Sequence, residues 1–184
     1  MKYVRHFLVI IAVIVLMGWL FRGDIYRNLI TYQSVGNRGN FALNNNELRV
    51  KLEGISIENL DIEDVINIAQ KITSETLTFS FEKCGDNPNL LLETQKANCM
   101  GYAQFFALVC NYMLKKNNLH KEWVAKVYIG KLKFLGNDIH QYFQSSFFKD
   151  HDFVVVENIR TQEIYAVDPT LYDYFVIKKV RFVR

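Results

Sequence analysis

Three residues able to carry out acyl chemistry occur in the order Cys99, His151, Asp168. Cys99 opens a long apolar stretch that runs to Leu114, and Asn98 just before it is a favoured helix N-cap. From Met100 onward Ala103, Phe106, Ala107, Cys110, Met113 and Leu114 recur at three- and four-residue intervals, which predicts a helix with one face buried. Cys99 then lies in its first turn. The unpaired N–H groups and positive dipole end of a first turn favour a thiolate, the form that attacks carbonyl carbon. Taken alone, such a cysteine equally fits a packed structural thiol, because cysteine is among the most buried residue types.

The partners come later in the chain. The runs from His151 to Glu157 and from Glu163 to Thr170 are rich in Val, Ile, Tyr and Phe and read as two strands of a hairpin. Symmetric closure around the loop Asn158-Ile159-Arg160-Thr161 puts His151 directly opposite Asp168, on the same face. A carboxylate there holds one imidazole nitrogen and leaves the other to act as general base. The register matters, since a slip of one residue would turn the two side chains to opposite faces, and the loop lacks a glycine to dictate its turn type. His140 is the rival base. It has no carboxylate placed opposite it and reads as an exposed loop histidine, and His120 reads as one at a helix C-terminus.

Cys99-Met100-Gly101-Tyr102-Ala103 opening an apolar helix, a histidine opening a Val-rich strand, and Val167-Asp168-Pro169-Thr170 closing the next together resemble the transglutaminase-like domain of the papain-like cysteine protease superfamily. The resemblance covers residues 60 to 176. It implies an α+β fold with a papain-like core, the nucleophile helix packed on an antiparallel sheet. It also implies an acyl-transfer site acting on a protein or peptide amide, with Cys99 as nucleophile, His151 as base and then acid, and Asp168 orienting His151. Oxyanion donors would be the Cys99 backbone N–H and the Gln95 side chain, one such donor being worth on the order of 3 kcal/mol of barrier. The chain departs from the family's habits at three places. Asp152 and Phe153 follow the histidine where a small residue and Trp are common, Asn98 stands where glycine or an aromatic is frequent, and the helix ends in Asn117-Asn118-Leu119 without the usual glycine. The competing readings are a membrane-tethered binding or scaffold module that keeps the fold without turnover, and a small protein whose main business is its membrane segment.

The remaining sequence bounds the setting of this site. Phe7 to Phe21 is an uninterrupted apolar run behind Lys2, Arg5 and His6, short of the ~20 residues of a full span but extended by Tyr3 and Val4. It reads as a signal anchor or signal peptide over residues 1–23. Gly18-Trp19-Leu20-Phe21-Arg22 offers almost no small residues for a cleavage site, which favours an uncleaved anchor, and the basic residues ahead of it favour export of the domain. The three cysteines permit a Cys84–Cys110 disulfide, although Cys110 fits a buried thiol better. They have neither a C-x-x-C pair nor a histidine nearby, so no metal site and no cofactor are expected. A net charge of +3 is too small to point to nucleic acid.

Residues 24–46 read as stalk and linker, and residues 47–184 as the domain. Within it Leu48 to Glu53 alternates and is expected as a strand. Asp61 starts a helix with Ile62, Val65, Ile66, Ala69 and Ile72 as its core stripe. Leu77–Phe81 and Trp123–Ile129 are expected strands, residues 130–150 an aromatic groove wall or lid, and Tyr172–Val183 a last strand.

Overall fold

The computed structural model describes residues 2–55 and 60–184; Met1 of the anchor segment lies outside them. In chain order the elements are α1 (Lys2–Leu20), α2 (Arg22–Leu29), β1 (Ile30–Asn37), α3 (Asn46–Glu53), α4 (Ile62–Thr76) and β2 (Thr78–Phe79). These are followed by α5 (Leu91–Thr94), β3 (Lys96–Ala97), α6 (Cys99–Lys116), β4 (Trp123–Phe134), β5 (Asn137–Asp138), β6 (His151–Asn158), β7 (Ile164–Val167), α7 (Pro169–Phe175) and β8 (Arg181–Val183). Single 3-10 turns lie at Leu119–Lys121, His140–Tyr142 and Ser146–Phe148.

Among the described residues the strands form a six-stranded sheet, in the order β7-β6-β4-β1-β8 with β5 paired to β4, and a separate parallel β2-β3 pair. Within the six-stranded sheet the pairings are antiparallel except between β1 and β8. Helices cover one face of this sheet. Val154 and Val156 of β6, with Ala125 and Val127 of β4, pack in one core with the buried faces of α3, α4 and α6. The alternate residues of β6, Phe153 and Val155, point into a second core with Tyr32, Ala166 and Val180. Both faces of β6 are therefore buried, which is why its sequence reads as a continuous apolar run. The Val180 N–H donates to Ala166 O (2.9 Å), so the chain leading into β8 returns to β7 and the sheet curls around the second core.

Close approach explains two glycines. A Cβ at Gly101 would lie 2.8 Å from Ala97 Cβ, and one at Gly130 would lie 2.6 Å from Phe153 Cε1. Gly101 thus lets the first turn of α6 press onto β3. A glycine-to-alanine change at Gly101 overpacks this contact and is expected to cost about 1–3 kcal/mol in an unfolding measurement.

The helix from Asp61 forms with a capping box between Asp61 and Asp64, and Val65, Ile66, Ala69 and Ile72 are buried as its periodicity requires. Three expectations are corrected. Residues 48–53 are helical: Asn45 caps Leu48 N–H, Leu48 and Leu52 are buried four residues apart, and Val50 between them is exposed, so an apparent alternation was one helical face. The stalk and linker of residues 24–46 contains β1, which pairs with β4 on one side and β8 on the other. Residues 172–175 continue α7, started by the N-cap Asp168 and Pro169 at its first turn, and only residues 181–183 are a strand. All three cysteines are free, and Cys110 is a buried thiol, the better fit of the two readings its sequence position allowed.

Helix α1 contains an 18-residue apolar segment, Tyr3–Leu20, of mean hydropathy 2.1, long and apolar enough to cross a membrane. It passes into α2 through Phe21. Because β1 is an inner strand, a chain beginning at Glu47 is expected to lose cooperative thermal unfolding and the near-UV circular dichroism signal. A chain beginning at Arg22 keeps both.

Candidate active site

The path to Cys99 is fixed by backbone pairing. Thr78 N–H donates to Gln95 O (2.7 Å) and Ser80 N–H to Ala97 O (2.8 Å), which aligns β3 immediately before α6. Asn98 Oδ1 then accepts from the N–H groups of Met100 (3.1 Å) and Gly101 (3.3 Å). This cap does not take the Cys99 N–H. Cys99 is partly exposed at the helix tip, whereas Cys110, three turns along, is fully buried and burial pushes its thiol far up.

His151 opens β6 opposite Gly130, and its Nε2 lies 2.7 Å from Asp168 Oδ2. The hairpin reaches this contact by a different register from the symmetric one. Val154 pairs with Val167 and Glu157 with Ile164, an offset of two residues from direct opposition of His151 and Asp168. Asn158 is responsible: its Oδ1 accepts from Arg160 N–H (2.9 Å) and Thr161 N–H (3.0 Å), while its own N–H donates to Glu163 O (2.8 Å). The loop is therefore Ile159 to Gln162, with Gln162 left-handed at φ 64°. An even offset keeps both side chains on one face and makes them diagonal neighbours. With Nε2 committed to Asp168, Nδ1 is the nitrogen left to face Cys99, whose side chain is near enough to help raise the pKa of the ring.

Asp168 divides its two oxygens. Oδ1 caps α7, accepting from Thr170 N–H (3.0 Å) and Leu171 N–H (3.1 Å). Oδ2 takes His151 and also the hydroxyl of Tyr32 (2.7 Å), a fully buried residue of β1. The Tyr32 hydroxyl has one proton and gives it to the carboxylate, so Tyr26 of α2 is the donor in the 2.8 Å contact between the two tyrosines. Burial, and then the charge of Asp168, pushes both phenols up and keeps them protonated donors.

Burial alone would lower the His151 pKa, but the charge and hydrogen bond of Asp168, with a smaller contribution from Cys99, hold it well above the ordinary imidazole value. Burial likewise opposes the Asp168 carboxylate, and the imidazolium charge, its hydrogen bond, the Tyr32 hydroxyl and the Leu171 N–H together bring its pKa below the ordinary range.

The neighbouring Asp152 points to the opposite face of β6. It is 2 % exposed, and burial raises its pKa against the opposing pull of Arg38, whose Nε lies 3.0 Å from Oδ2. His140 is not an exposed loop residue, as its position in the sequence led us to expect. Its Nε2 accepts from Leu132 N–H (2.9 Å) and its Nδ1 donates to Phe148 O (2.7 Å), so both ring nitrogens are spent on holding residues 130–150 in place. Gln95 lies in the left-handed region (φ 53°) with an exposed side chain that makes no hydrogen bond among the described residues.

An aromatic surface adjoins the site. Phe79 of β2 and Phe81 just beyond it contact Phe147, Phe148 packs on Phe81 and Phe147, and Tyr174 of α7 meets Phe79. Tyr102, one turn along α6 from Cys99, donates to Asp173 Oδ2 (2.6 Å) and so ties the cysteine helix to the helix that Asp168 caps. The residues missed by the sequence reading are Tyr26, Tyr32 and Arg38. Tyr32 and Arg38 have partners more than a hundred positions away, Tyr26 reaches the site only through Tyr32, and the only local sign was the β-prone run Ile30-Thr31-Tyr32.

No protein-family model, curated protein or solved structure matches the chain.

The pair gives stability a signed pH dependence. The raised His151 pKa contributes fully below the unfolded imidazole value of about 6.5, and that contribution is lost as pH rises through the folded value. The lowered Asp168 pKa contributes above its unfolded value of about 3.9, and that contribution is lost as pH falls through the folded value. Asp168→Asn keeps an N-cap for α7 but removes the charge. Its Tm is expected to fall furthest below wild type near pH 6, and the gap to narrow as pH is raised to 9.

Proposed function

We propose that this chain is a membrane-anchored, cysteine-dependent acyltransferase acting on amides, a transglutaminase-like member of the papain-like superfamily. The observation that carries the reading is an imidazole hydrogen-bonded to a buried carboxylate, with a partly exposed thiol at a helix tip near enough to act on the ring's charge. Two features support it further: the cysteine helix on one face of a curled antiparallel sheet, and the site where the tip of that helix meets the sheet.

In this mechanism Nδ1 of His151 takes the Cys99 proton, and the thiolate attacks the amide carbonyl. Asp168 keeps Nε2 protonated and stabilises the imidazolium. The Nδ1 proton then passes to the leaving amine as the carbon–nitrogen bond breaks, which leaves a thioester on Cys99. Water or a second amine attacks the thioester and gives up a proton to His151, the carbon–sulfur bond breaks to release the acid or the new amide, and the Cys99 sulfur is returned with the proton of the His151 ring. Water yields peptidase or amidase activity; an amine yields crosslinking. The Cys99 backbone N–H, which the Asn98 cap leaves at the tip, is the first oxyanion donor, and the Gln95 side chain joins it only after turning in from solvent. The aromatic surface around Phe79, Phe81 and Phe148 flanks the acyl group with apolar contacts. Helix α1 spans the membrane, and the basic residues before it favour an N-terminus on the cytoplasmic side with the domain exported.

The test is intact-mass trapping of an acyl-enzyme from a mixture of peptide amides. A covalent adduct is expected on the wild-type chain and none on Cys99→Ala; wild-type chain without adduct contradicts the proposal. Thiol labelling with iodoacetamide at neutral pH checks the activation. Cys99 is expected to react far faster than Cys84 or Cys110, and His151→Ala to slow it by roughly 100-fold or more.

A further inference from the structure

The chain that follows the apolar helix reaches Asp168 and also the far end of the helix that Asp168 caps. From α2 and the start of β1, Tyr26 O–H donates to Tyr32 and Tyr32 O–H donates to the same Asp168 oxygen that holds His151. At the other end of α7, Arg22 donates through Nε to Phe175 O and through Nη2 to Val176 O (3.4 Å), and also through Nη1 to Trp19 O (2.8 Å) of the anchor helix. The same seven-residue helix is therefore fastened at its start by Asp168 and at its end by a residue adjoining the anchor. Val176 is β-branched and yet left-handed (φ 53°), a conformation that persists where surrounding contacts enforce it.

The groups that face Asp168 define what Tyr32 can do. His151 approaches from β6, Tyr32 from β1 with Tyr26 of α2 behind it, and the Thr170 and Leu171 N–H groups from α7; Cys99 of α6 lies beyond the imidazole. With Oδ1 fixed by the helix cap, a second donor on Oδ2 sets the angle at which the carboxylate meets Nε2. We infer that Tyr32 is a positioning residue of the site, and that Tyr26 and Arg22 make the juxtamembrane helix its support. As a statement about catalysis this rests on the reading proposed above. As a statement about the His151–Asp168 pair it stands on these contacts.

The test uses the full chain in detergent micelles with ¹⁵N-labelled histidine, and reads the Nε2–H resonance of His151 against pH. Tyr32→Phe removes the hydroxyl alone. It is expected to move that resonance and to raise the pH at which the pair is lost on acidification by about 1 unit, the size of one hydrogen bond to a charged group. Tyr26→Phe and Arg22→Ala are expected to produce smaller changes in the same direction. Phe153→Leu, a loss of packing in the same core, is expected to lower Tm without moving the resonance. A resonance and acid limb unchanged in Tyr32→Phe, or changed only as much as in Phe153→Leu, would overturn the inference. If Tyr32→Phe moves the resonance while wild-type Cys99 forms no acyl-enzyme, the positioning role stands and the catalytic reading falls.

Discussion

A carboxylate with 2 % of its surface exposed must find donors for both oxygens or give up its charge, and the way Asp168 meets that demand governs much of this fold. Four donors reach it: two backbone N–H groups of the helix it caps, the His151 ring, and the Tyr32 hydroxyl. They belong to α7, β6 and β1. No two of these elements are joined by a short connection, so satisfying one buried charge requires the sheet to be assembled and the last helix to be in place. Removing a single donor would leave the charge buried and short of a partner, which costs more than the net value of an ordinary hydrogen bond.

The two cores divide the labour around that charge. The larger one holds the helices against the sheet and presents the tip of α6, and its tight packing at Gly101 seats the first turn of that helix against β3. The smaller one lies inside the curl of the sheet and carries Tyr32 and Phe153 alongside the His151 and Asp168 pair. The site lies where the helix tip meets the edge of this curl. Its thiol comes from one layer, and its imidazole and carboxylate come from the other. The segment next to the apolar helix contributes an inner strand to the sheet, so that helix and the candidate site are joined by structure and not by a loose tether.

Part of this was legible from local patterns. The N-cap at Asn98, the helix behind Cys99, the helix after Asp61 and the Val-rich strand after His151 were all readable, because capping and periodicity act over a few residues. Shared facing of His151 and Asp168 was also readable, since a shift of two residues leaves parity unchanged, although the register itself was set by the Asn158 side chain. Short segments failed where one pattern admits two periods. Leu48, Val50 and Leu52 alternate like a strand, and a buried pair four apart suits a helix equally well.

By itself the sequence determined an apolar N-terminal helix, a cysteine at the head of a buried helix, and a histidine and an aspartate on the same face of a hairpin, all consequences of interactions between near neighbours. Only the tertiary structure decided that residues 30–37 are an inner strand, that Tyr32 and Tyr26 stand behind Asp168, and that His140 is spent on holding its own loop. Those contacts join residues that periodicity and capping cannot relate, since they depend on which strands meet and on how a buried charge recruits its donors.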